Sequence, residues 1–230
     1  MSSRRIDMRG EMAIGLFLDE FFYPRLCAIE GFTHTERVYD ADMQKKGCDI
    51  CIYNKGGRSI KIDEKSQLHF INKPRDTFVF EVSFLKADSG EVMSGWLVSD
   101  DNITDCYMLA WIDRARTDKI NRIVAEDFEQ VTICFITKKK VISYLTSCGY
   151  TIQKIKALAD EMRKNDQETT AFISTDAVLY YSGEVIPERP INILINKRVL
   201  YRLSYGVYVV SREGVIKEEI QRKNDEKMEM

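Results

Sequence analysis

The segment GCDICIYNKGGRSIKIDEKSQ, residues 47–67, decides the fold, because two apolar stretches in it flank a polar turn. CDICIY is predicted to be a buried strand, and RSIKIDEKS is predicted to be the second strand of a hairpin. The Asn-Lys-Gly-Gly sequence between them is typical of a hairpin turn, since glycine adopts positive φ without steric cost. Pairing of these strands would set the register of a central sheet.

Strand parity places the charged residues of this hairpin on one surface. Successive side chains along a strand point to opposite faces, and Ile60 and Ile62 are predicted to face the core. The residues that then share the opposite face are Lys61, Asp63, Lys65 and Gln67. Asp49 belongs to the matching set of the first strand. We therefore expect Asp49 to approach Asp63 and Lys65 when the strands pair.

Carboxylates at the ends of two neighbouring strands are costly to bury unless something compensates their charge. Mg²⁺ compensates such charge, because it takes oxygen ligands, usually from one or two carboxylates together with water and phosphate oxygens. A lysine two residues beyond the second carboxylate can help to deprotonate a water molecule or offset charge on a phosphorane. The pattern therefore indicates a hydrolytic site that uses Mg²⁺ or Mn²⁺.

GCD at 47–49, followed after thirteen residues by DEK at 63–65, resembles the PD-(D/E)xK nuclease superfamily, which includes many restriction endonucleases and Holliday-junction resolvases. The resemblance covers roughly residues 10–112, as an entry helix, the motif hairpin, a third strand and further elements. It implies an α/β, restriction endonuclease-like core with a mixed central sheet flanked by helices. Cys48 replaces the proline of the family name, and Asp63 stands where glutamate is more usual.

The resemblance also implies a role for each motif residue. Asp49 and Asp63 would hold the metal ion, and Lys65 would be the catalytic lysine. The entry helix often supplies a further acid, for which Glu20 is the first candidate and Asp19 the second. The complete implied catalytic set is Asp49, Asp63, Lys65, Gln67 and Glu20.

The implied activity is hydrolysis of DNA phosphodiester bonds by a metal-activated water, with DNA and a second copy of the chain as expected partners. A catalytically silent protein of the same fold, acting as a nucleic-acid-binding or structural partner, is the alternative. The triplet alone is a weak signal, because the same DEK recurs at 225–227 in the polar tail, where no apolar strand precedes it. A charged strand end that faces solvent is the competing structural interpretation.

Composition limits these interpretations. The 230 residues include 34 basic and 36 acidic side chains, for a net charge of −2, so no global basic field indicates a nucleic-acid binder. TKKK at 137–140 is either a solvated strand end or a local phosphate-contacting patch. No apolar run reaches the ~20 residues of a membrane helix, and the first residues lack an apolar secretory core, which predicts a cytoplasmic protein without a membrane partner.

The domain prediction divides the chain into a core at 1–140 and a small α+β extension at 141–230, and leaves open whether the two pack as one unit. A helix is predicted for residues 11–22 from apolar side chains at helical spacing. Strands are predicted at 76–85 and 106–112, and two short helices are predicted after residue 141.

Cys48 and Cys51 form a C-x-x-C pair, which raises the alternative of a thiol or zinc protein. Strand parity predicts that the two sulfur atoms lie on opposite faces, and no second cysteine pair follows at zinc spacing. Only two histidines are present, so no histidine-based zinc cluster is predicted. All six cysteines are therefore predicted to be free thiols, mostly buried, in a reducing compartment.

Overall fold

The structure is a computed structural model that describes residues 3–165, 169–183 and 187–220. The polar tail after residue 220, including the second DEK triplet, lies outside the described residues. Within these ranges, no helix is both long enough and apolar enough to cross a membrane.

The described part of the chain contains six α-helices, twelve strands and two short 3₁₀-helices, Leu68–Phe70 and Ala125–Asp127. The helices are α1 (Ser3–Phe21), α2 (Tyr23–Glu30), α3 (Ala41–Lys45), α4 (Lys138–Ser147), α5 (Ile152–Asn165) and α6 (Lys197–Leu203). The first seven strands are β1 (His34–Arg37), β2 (Ile50–Tyr53), β3 (Ser59–Ser66), β4 (Thr77–Leu85), β5 (Val92–Ser94), β6 (Cys106–Ala115) and β7 (Phe128–Thr137). The last five are β8 (Thr169–Ser174), β9 (Ala177–Tyr181), β10 (Ile191–Asn196), β11 (Gly206–Val210) and β12 (Val215–Lys217).

The larger sheet, sheet A, has seven strands in the order β1-β2-β3-β6-β7-β11-β12. It is a mixed sheet, because β3 and β6 are parallel while the other neighbours are antiparallel. The predicted hairpin is confirmed, with Ile50 opposite Ile62. Its turn is held by the Asn54 side chain, which accepts hydrogen bonds from the backbone N–H groups of Gly56 at 3.0 Å and Arg58 at 3.1 Å.

The smaller sheet, sheet B, has five antiparallel strands in the order β5-β4-β10-β9-β8. The strand predicted at 76–85 forms as β4, but it joins sheet B instead of lying beside the hairpin. The place next to β3 is taken by β6, which crosses back parallel to it. Sheet A and sheet B together make a mixed α/β protein with one mixed and one antiparallel sheet.

Two apolar cores lie on the two sides of sheet A. On one side the buried face of α1, which includes Ile14, Phe17 and Leu18, packs with α2 against Ile62 and Met108. The predicted helix at 11–22 is therefore confirmed, although it begins earlier. On the other side, residues of sheet A pack against sheet B and helices α4 to α6. Residues that sheet A buries on this second side include Tyr107, Leu109, Trp111 and Ile136.

The segment after residue 141 contributes strands to both sheets. β10 pairs with β4 and β11 pairs with β7, so the predicted core and extension share their hydrogen-bonded sheets. The two helices predicted after residue 141 form as α4 and α5. TKKK is not a strand end, because β7 stops at Thr137 and the three lysines begin α4. The Thr137 hydroxyl caps this helix by accepting from the backbone N–H of Lys140 at 3.3 Å.

An ion network joins β3 to the two N-terminal helices on the first side of sheet A. The Arg37 guanidinium donates to Asp19 of α1 at 2.6 Å and to Glu64 of β3 at 2.8 Å. The hydroxyl of Tyr23 donates to the same Glu64 carboxylate at 2.5 Å. Removing the cation would leave two partly buried carboxylates without compensation, which is strongly destabilising.

We predict that Arg37→Met lowers the free energy of unfolding by about 2 to 3 kcal/mol, because Glu64 and Asp19 lose their shared cation in a partly buried setting. Urea denaturation followed by circular dichroism measures the change. Arg114→Met is the matched control, since Arg114 is 65% exposed and contacts Glu129 at 3.4 Å. We expect that control to cost less than about 1 kcal/mol. Equal losses in the two variants would contradict a buried role for the Arg37 network.

Candidate metal centre

Asp49, Asp63 and Lys65 converge on one surface of the β2–β3 hairpin. Continuing the β2–β3 register by one residue places Asp49 opposite Asp63. The Asp49 carboxylate accepts a hydrogen bond from the backbone N–H of Glu64 at 2.8 Å, which fixes its direction. The Lys65 ammonium forms an ion pair with Asp63 Oδ1. The structure therefore brings together the three side chains that the spacing predicted to approach one another.

Asp63 is the most deeply buried carboxylate of this group, with 1% of its surface exposed. Its Oδ1 atom meets Lys65, whereas Oδ2 is buried and has no hydrogen-bond partner among the described residues. Tyr107 lies next to Asp63 in the parallel β3–β6 register, and its buried hydroxyl also has no partner in the described ranges. Unsatisfied buried polar atoms are costly, so this position would stabilise a bound cation or water molecule.

The three side chains open into a cleft of about 710 Å³ between the hairpin and the β4–β5 strands. The α3 side of the cleft is polar and is lined by Asp42, Gln44, Lys45 and Lys46. The opposite side is largely apolar and is lined by Phe84, Met93 and Trp96 together with Glu81. Ser99, Asp101 and Asn102 close one end. A polar wall therefore faces an apolar wall across the carboxylates.

Negative charge predominates in this cleft. Five carboxylates, from Asp42, Asp49, Asp63, Glu81 and Asp101, face three ammonium groups, from Lys45, Lys46 and Lys65. Burial raises the pKa of Asp49 to about 7, although Lys65 opposes this shift, and Asp63 adds to it by repulsion. Burial also raises the pKa of Glu81. A bound cation would favour the ionised form of these carboxylates and so oppose the upward pKa shifts.

Lys65 remains a cation in this setting. Burial opposes its charge, but Asp63 and Asp49 outweigh burial and raise the pKa of the Lys65 ammonium. Its Nζ also lies 5.5 Å from the ring centre of Trp96, which is within the range of a cation–π contact. Lys65 therefore lies between the carboxylates of Asp49 and Asp63 and the apolar side of the cleft.

The residues fit a hard divalent cation better than a soft one. Asp49 and Asp63 offer carboxylate oxygens, including the unpartnered Oδ2 atom, and Mg²⁺ commonly binds proteins through one or two carboxylates. In the described part of the chain, no three His, Cys, Asp or Glu side chains are grouped so that they could hold a metal ion together. Two carboxylates alone would leave the remaining ligand positions of Mg²⁺ to water and substrate phosphate.

The structure does not bring Glu20, Gln67 or Asp19 into the cleft. Glu20 is exposed on α1 and does not line the cleft, and Asp19 is occupied by Arg37. The Gln67 amide donates to the Thr77 carbonyl at 2.5 Å and accepts from the Arg75 N–H at 3.0 Å. Gln67 follows the last residue of β3, so strand parity no longer controls its direction, and its side chain holds the loop that leads to β4.

Glu81 is a cleft residue that sequence reasoning missed. It comes from β4 of sheet B and lies beside Gly95, where only a glycine fits because a Cβ would collide with the Glu81 backbone. A lone carboxylate within the apolar strand TFVFEVSFL was the available signal. That signal could not be interpreted without knowing that sheet B closes over the hairpin.

The observed positions of Cys48 and Cys51 contradict the prediction that their sulfur atoms lie on opposite faces of the strand. The sulfur atoms of Cys48 and Cys51 lie 3.7 Å apart, so they are not on opposite faces. The reason is that β2 begins at Ile50, and alternation along the strand therefore does not extend to Cys48. Burial, with Cys51 adding to the effect, raises the pKa of the Cys48 thiol to about 12. All six cysteines are free, and Cys48, Cys106 and Cys134 are buried.

Gly47 lets the chain pass closely beneath the loop at 102–104. It has φ of +80°, and a Cβ there would lie 2.5 Å from Asn102 Nδ2, closer still to Thr104 Oγ1, and 3.3 Å from Asp63 Oδ2. The Thr104 hydroxyl donates to the Gly47 carbonyl at 2.6 Å, and Lys138 Nζ donates to Asn102 Oδ1 at 2.8 Å. This close contact positions Asp63 and the end of the cleft together.

We predict that Gly47→Ala costs about 3 kcal/mol of unfolding free energy, because it combines left-handed backbone strain with a collision against the 102–104 loop. Gly57→Ala is the matched control, since Gly57 has φ of +73° but no atom within 4 Å of its Cβ position. We expect that control to lose about 1 kcal/mol of unfolding free energy, because only the backbone strain applies there. Thermal or urea denaturation measures both losses of stability. If Gly47→Ala lowered the free energy of unfolding no more than Gly57→Ala, the close contact at Gly47 would be refuted.

Comparison with known proteins leaves the geometry as the basis for assigning a function. No protein-family model, no curated protein and no solved structure matches this chain. The buried carboxylate of Asp63, the partly buried carboxylate of Asp49, the lysine beside them and the cleft they line are therefore the observations from which a function is inferred.

Proposed function

We propose that this protein is a nuclease that depends on Mg²⁺ or Mn²⁺ and hydrolyses DNA phosphodiester bonds. The observation that carries the proposal is the convergence of Asp49, Asp63 and Lys65 at one cleft, where Asp63 Oδ2 is buried and has no hydrogen-bond partner among the residues that the structure describes. Two carboxylates can hold Mg²⁺, and a lysine beside them can stabilise charge that develops on a phosphate, so this set supports phosphodiester hydrolysis.

The arrangement of the elements supports a restriction endonuclease-like core. A long helix precedes the motif hairpin, the hairpin carries both carboxylates, and a parallel strand, β6, lies beside the motif strand. Sheet B is an addition to the elements that the resemblance implies, and it supplies one wall of the cleft. The proposal therefore assigns the motif to sheet A and the cover of the cleft to sheet B.

Each motif residue has a defined task in the proposed reaction. Asp49 and Asp63 would hold the ion, with the Glu64 N–H keeping Asp49 in position. When bound, the ion supplies Lewis-acid activation of water and neutralises charge on the phosphate. Lys65 is a cation because Asp63 and Asp49 raise its pKa, so it stabilises negative charge that develops on the phosphate oxygens instead of accepting a proton.

DNA would enter between the two unlike walls of the cleft. Lys45 and Lys46, on the α3 side, are exposed and can contact backbone phosphates. The apolar side, with Trp96 and Phe84, lowers the local polarity beside the carboxylates, which would strengthen electrostatic interactions at the reacting phosphate.

The alternative is a catalytically silent protein of the same fold that binds nucleic acid or a structural partner. One observation favours the structural-partner form of this alternative: five carboxylates and three lysines line the cleft, so the ion-free cleft repels phosphate. The enzyme differs from the silent protein in requiring an ion at Asp49 and Asp63. The predicted homodimer stays a prediction in either case.

We predict that the wild-type chain cleaves plasmid or branched DNA with Mg²⁺ or Mn²⁺, and that Asp63→Asn and Lys65→Met each lower the rate by about 100-fold or more. Gel-based cleavage assays at matched protein concentration measure the rates. Asp225→Asn and Lys227→Met in the second DEK triplet are the matched controls, and we expect wild-type rates from both. Thermal melting of each variant shows that it is folded.

Two results would overturn the proposal that this protein is a nuclease. One is the absence of cleavage by the wild type with either ion, and the other is equal cleavage by the wild type and both motif variants. Calorimetric titration with Mn²⁺ gives an independent readout, because Asp63→Asn should abolish binding while Asp225→Asn should not. DNA binding in gel-shift assays without cleavage or Mn²⁺ binding would favour the silent alternative.

A further inference from the structure

Cys48 and Cys51 form a second chemically distinctive cluster beside the carboxylates. Their sulfur atoms lie 3.7 Å apart, and no other two cysteine sulfurs within the described ranges come within hydrogen-bonding range of each other. Cys48 is fully buried, whereas Cys51 is partly exposed on β2. One sulfur is therefore accessible to small molecules, and the other lies directly behind it.

The backbone holds the two sulfurs together. Gly47, with φ of +80°, turns the chain just before Cys48, and the Cys48 N–H donates to the Met43 carbonyl at 3.1 Å. β2 then carries Cys51 in fixed register, opposite Lys61 of β3. A disulfide bond is about 2.0 Å long, so the two sulfurs must come closer than their present 3.7 Å for the bond to form.

We infer that Cys48 and Cys51 are a modification site at which a peroxide forms an intrachain disulfide. This inference is independent of the proposed nuclease, because it rests on the position of the sulfurs and not on metal binding or DNA cleavage. Its ligand class is small hydroperoxides, which can reach the exposed sulfur without opening the core.

The reaction balances with peroxide as the only oxidant. The Cys51 sulfur attacks one peroxide oxygen, the O–O bond breaks, and one molecule of water leaves as Cys51 becomes a sulfenic acid. The Cys48 sulfur then attacks the Cys51 sulfur, and the sulfenic oxygen leaves as a second water with the thiol proton. Overall, two thiols are oxidised to one disulfide and one hydrogen peroxide is reduced to two waters.

The disulfide would enclose Asp49 in a small ring. Asp49 and Ile50 are the two residues between the cysteines, and the Asp49 N–H and carboxylate are hydrogen-bonded to Ile62 and Glu64 of β3. Closing the ring would constrain the backbone that directs this carboxylate. Oxidation would therefore alter the geometry at Asp49 whatever the cleft binds.

The test treats the full-length chain with hydrogen peroxide, blocks the remaining thiols by alkylation and maps the peptides by mass spectrometry. We expect a Cys48–Cys51 peptide that is lighter by two hydrogen atoms and that dithiothreitol returns to two thiols. Cys148 is the matched control within the same molecule, because it is partly exposed and has no cysteine sulfur beside it. We expect it to give no crosslinked peptide.

Variants assign the roles of the two sulfurs. In Cys48→Ser, Cys51 should stop at the sulfenic acid, which a dimedone probe captures, and Cys148→Ser should leave the crosslink unchanged. Absence of the linked peptide from the wild type, with Cys51 either unreacted or over-oxidised, would overturn the inference. If the buried Cys48→Ser variant fails to fold, the wild-type map and Cys51→Ser still decide the question, because Cys51→Ser must abolish the crosslink.

Discussion

The burial of one carboxylate, Asp63, is the constraint on which the cleft depends. A carboxylate with 1% exposure is costly to bury unless a compensating group lies beside it, and Lys65 of the same strand provides an ammonium group there. The pair lies where sheet B closes over the hairpin, so the sheets, the 102–104 loop and Gly47 must all be in place. The Oδ2 atom of Asp63 has no hydrogen-bond partner in the described part of the chain, and the proposed metal ion would supply one contact for it.

The sequence pattern predicted those parts of the fold that are determined by residues close together along the chain. The α1 helix and the β2–β3 hairpin followed from the spacing of Phe17 and Leu18 and from the Asn54 turn, since these signals act within a few residues. The place of β4 in a second sheet could not be predicted, because its partner β10 is distant in sequence and both strands are apolar. Apolar character indicates burial but does not identify the neighbour.

The same division applies to the site. Asp49, Asp63 and Lys65 could be predicted to converge because one hairpin carries all three, and parity within a hairpin is a local rule. Parity failed at Cys48 and Gln67, which lie just outside the strands, where turns redirect the side chain. The presence of Glu81 in the cleft could not be predicted from strand parity, because only tertiary packing brings sheet B over the hairpin.

The pairing of β4 with β10 has a consequence for synthesis on the ribosome. The hairpin emerges early and carries its carboxylates and lysine, but the strand that supports the cleft wall has only β5 beside it until β10 is translated. A nascent chain therefore exposes the acidic hairpin without its cover. Strand β4 therefore gains its second neighbour in sheet B only after the chain has been translated to residue 196.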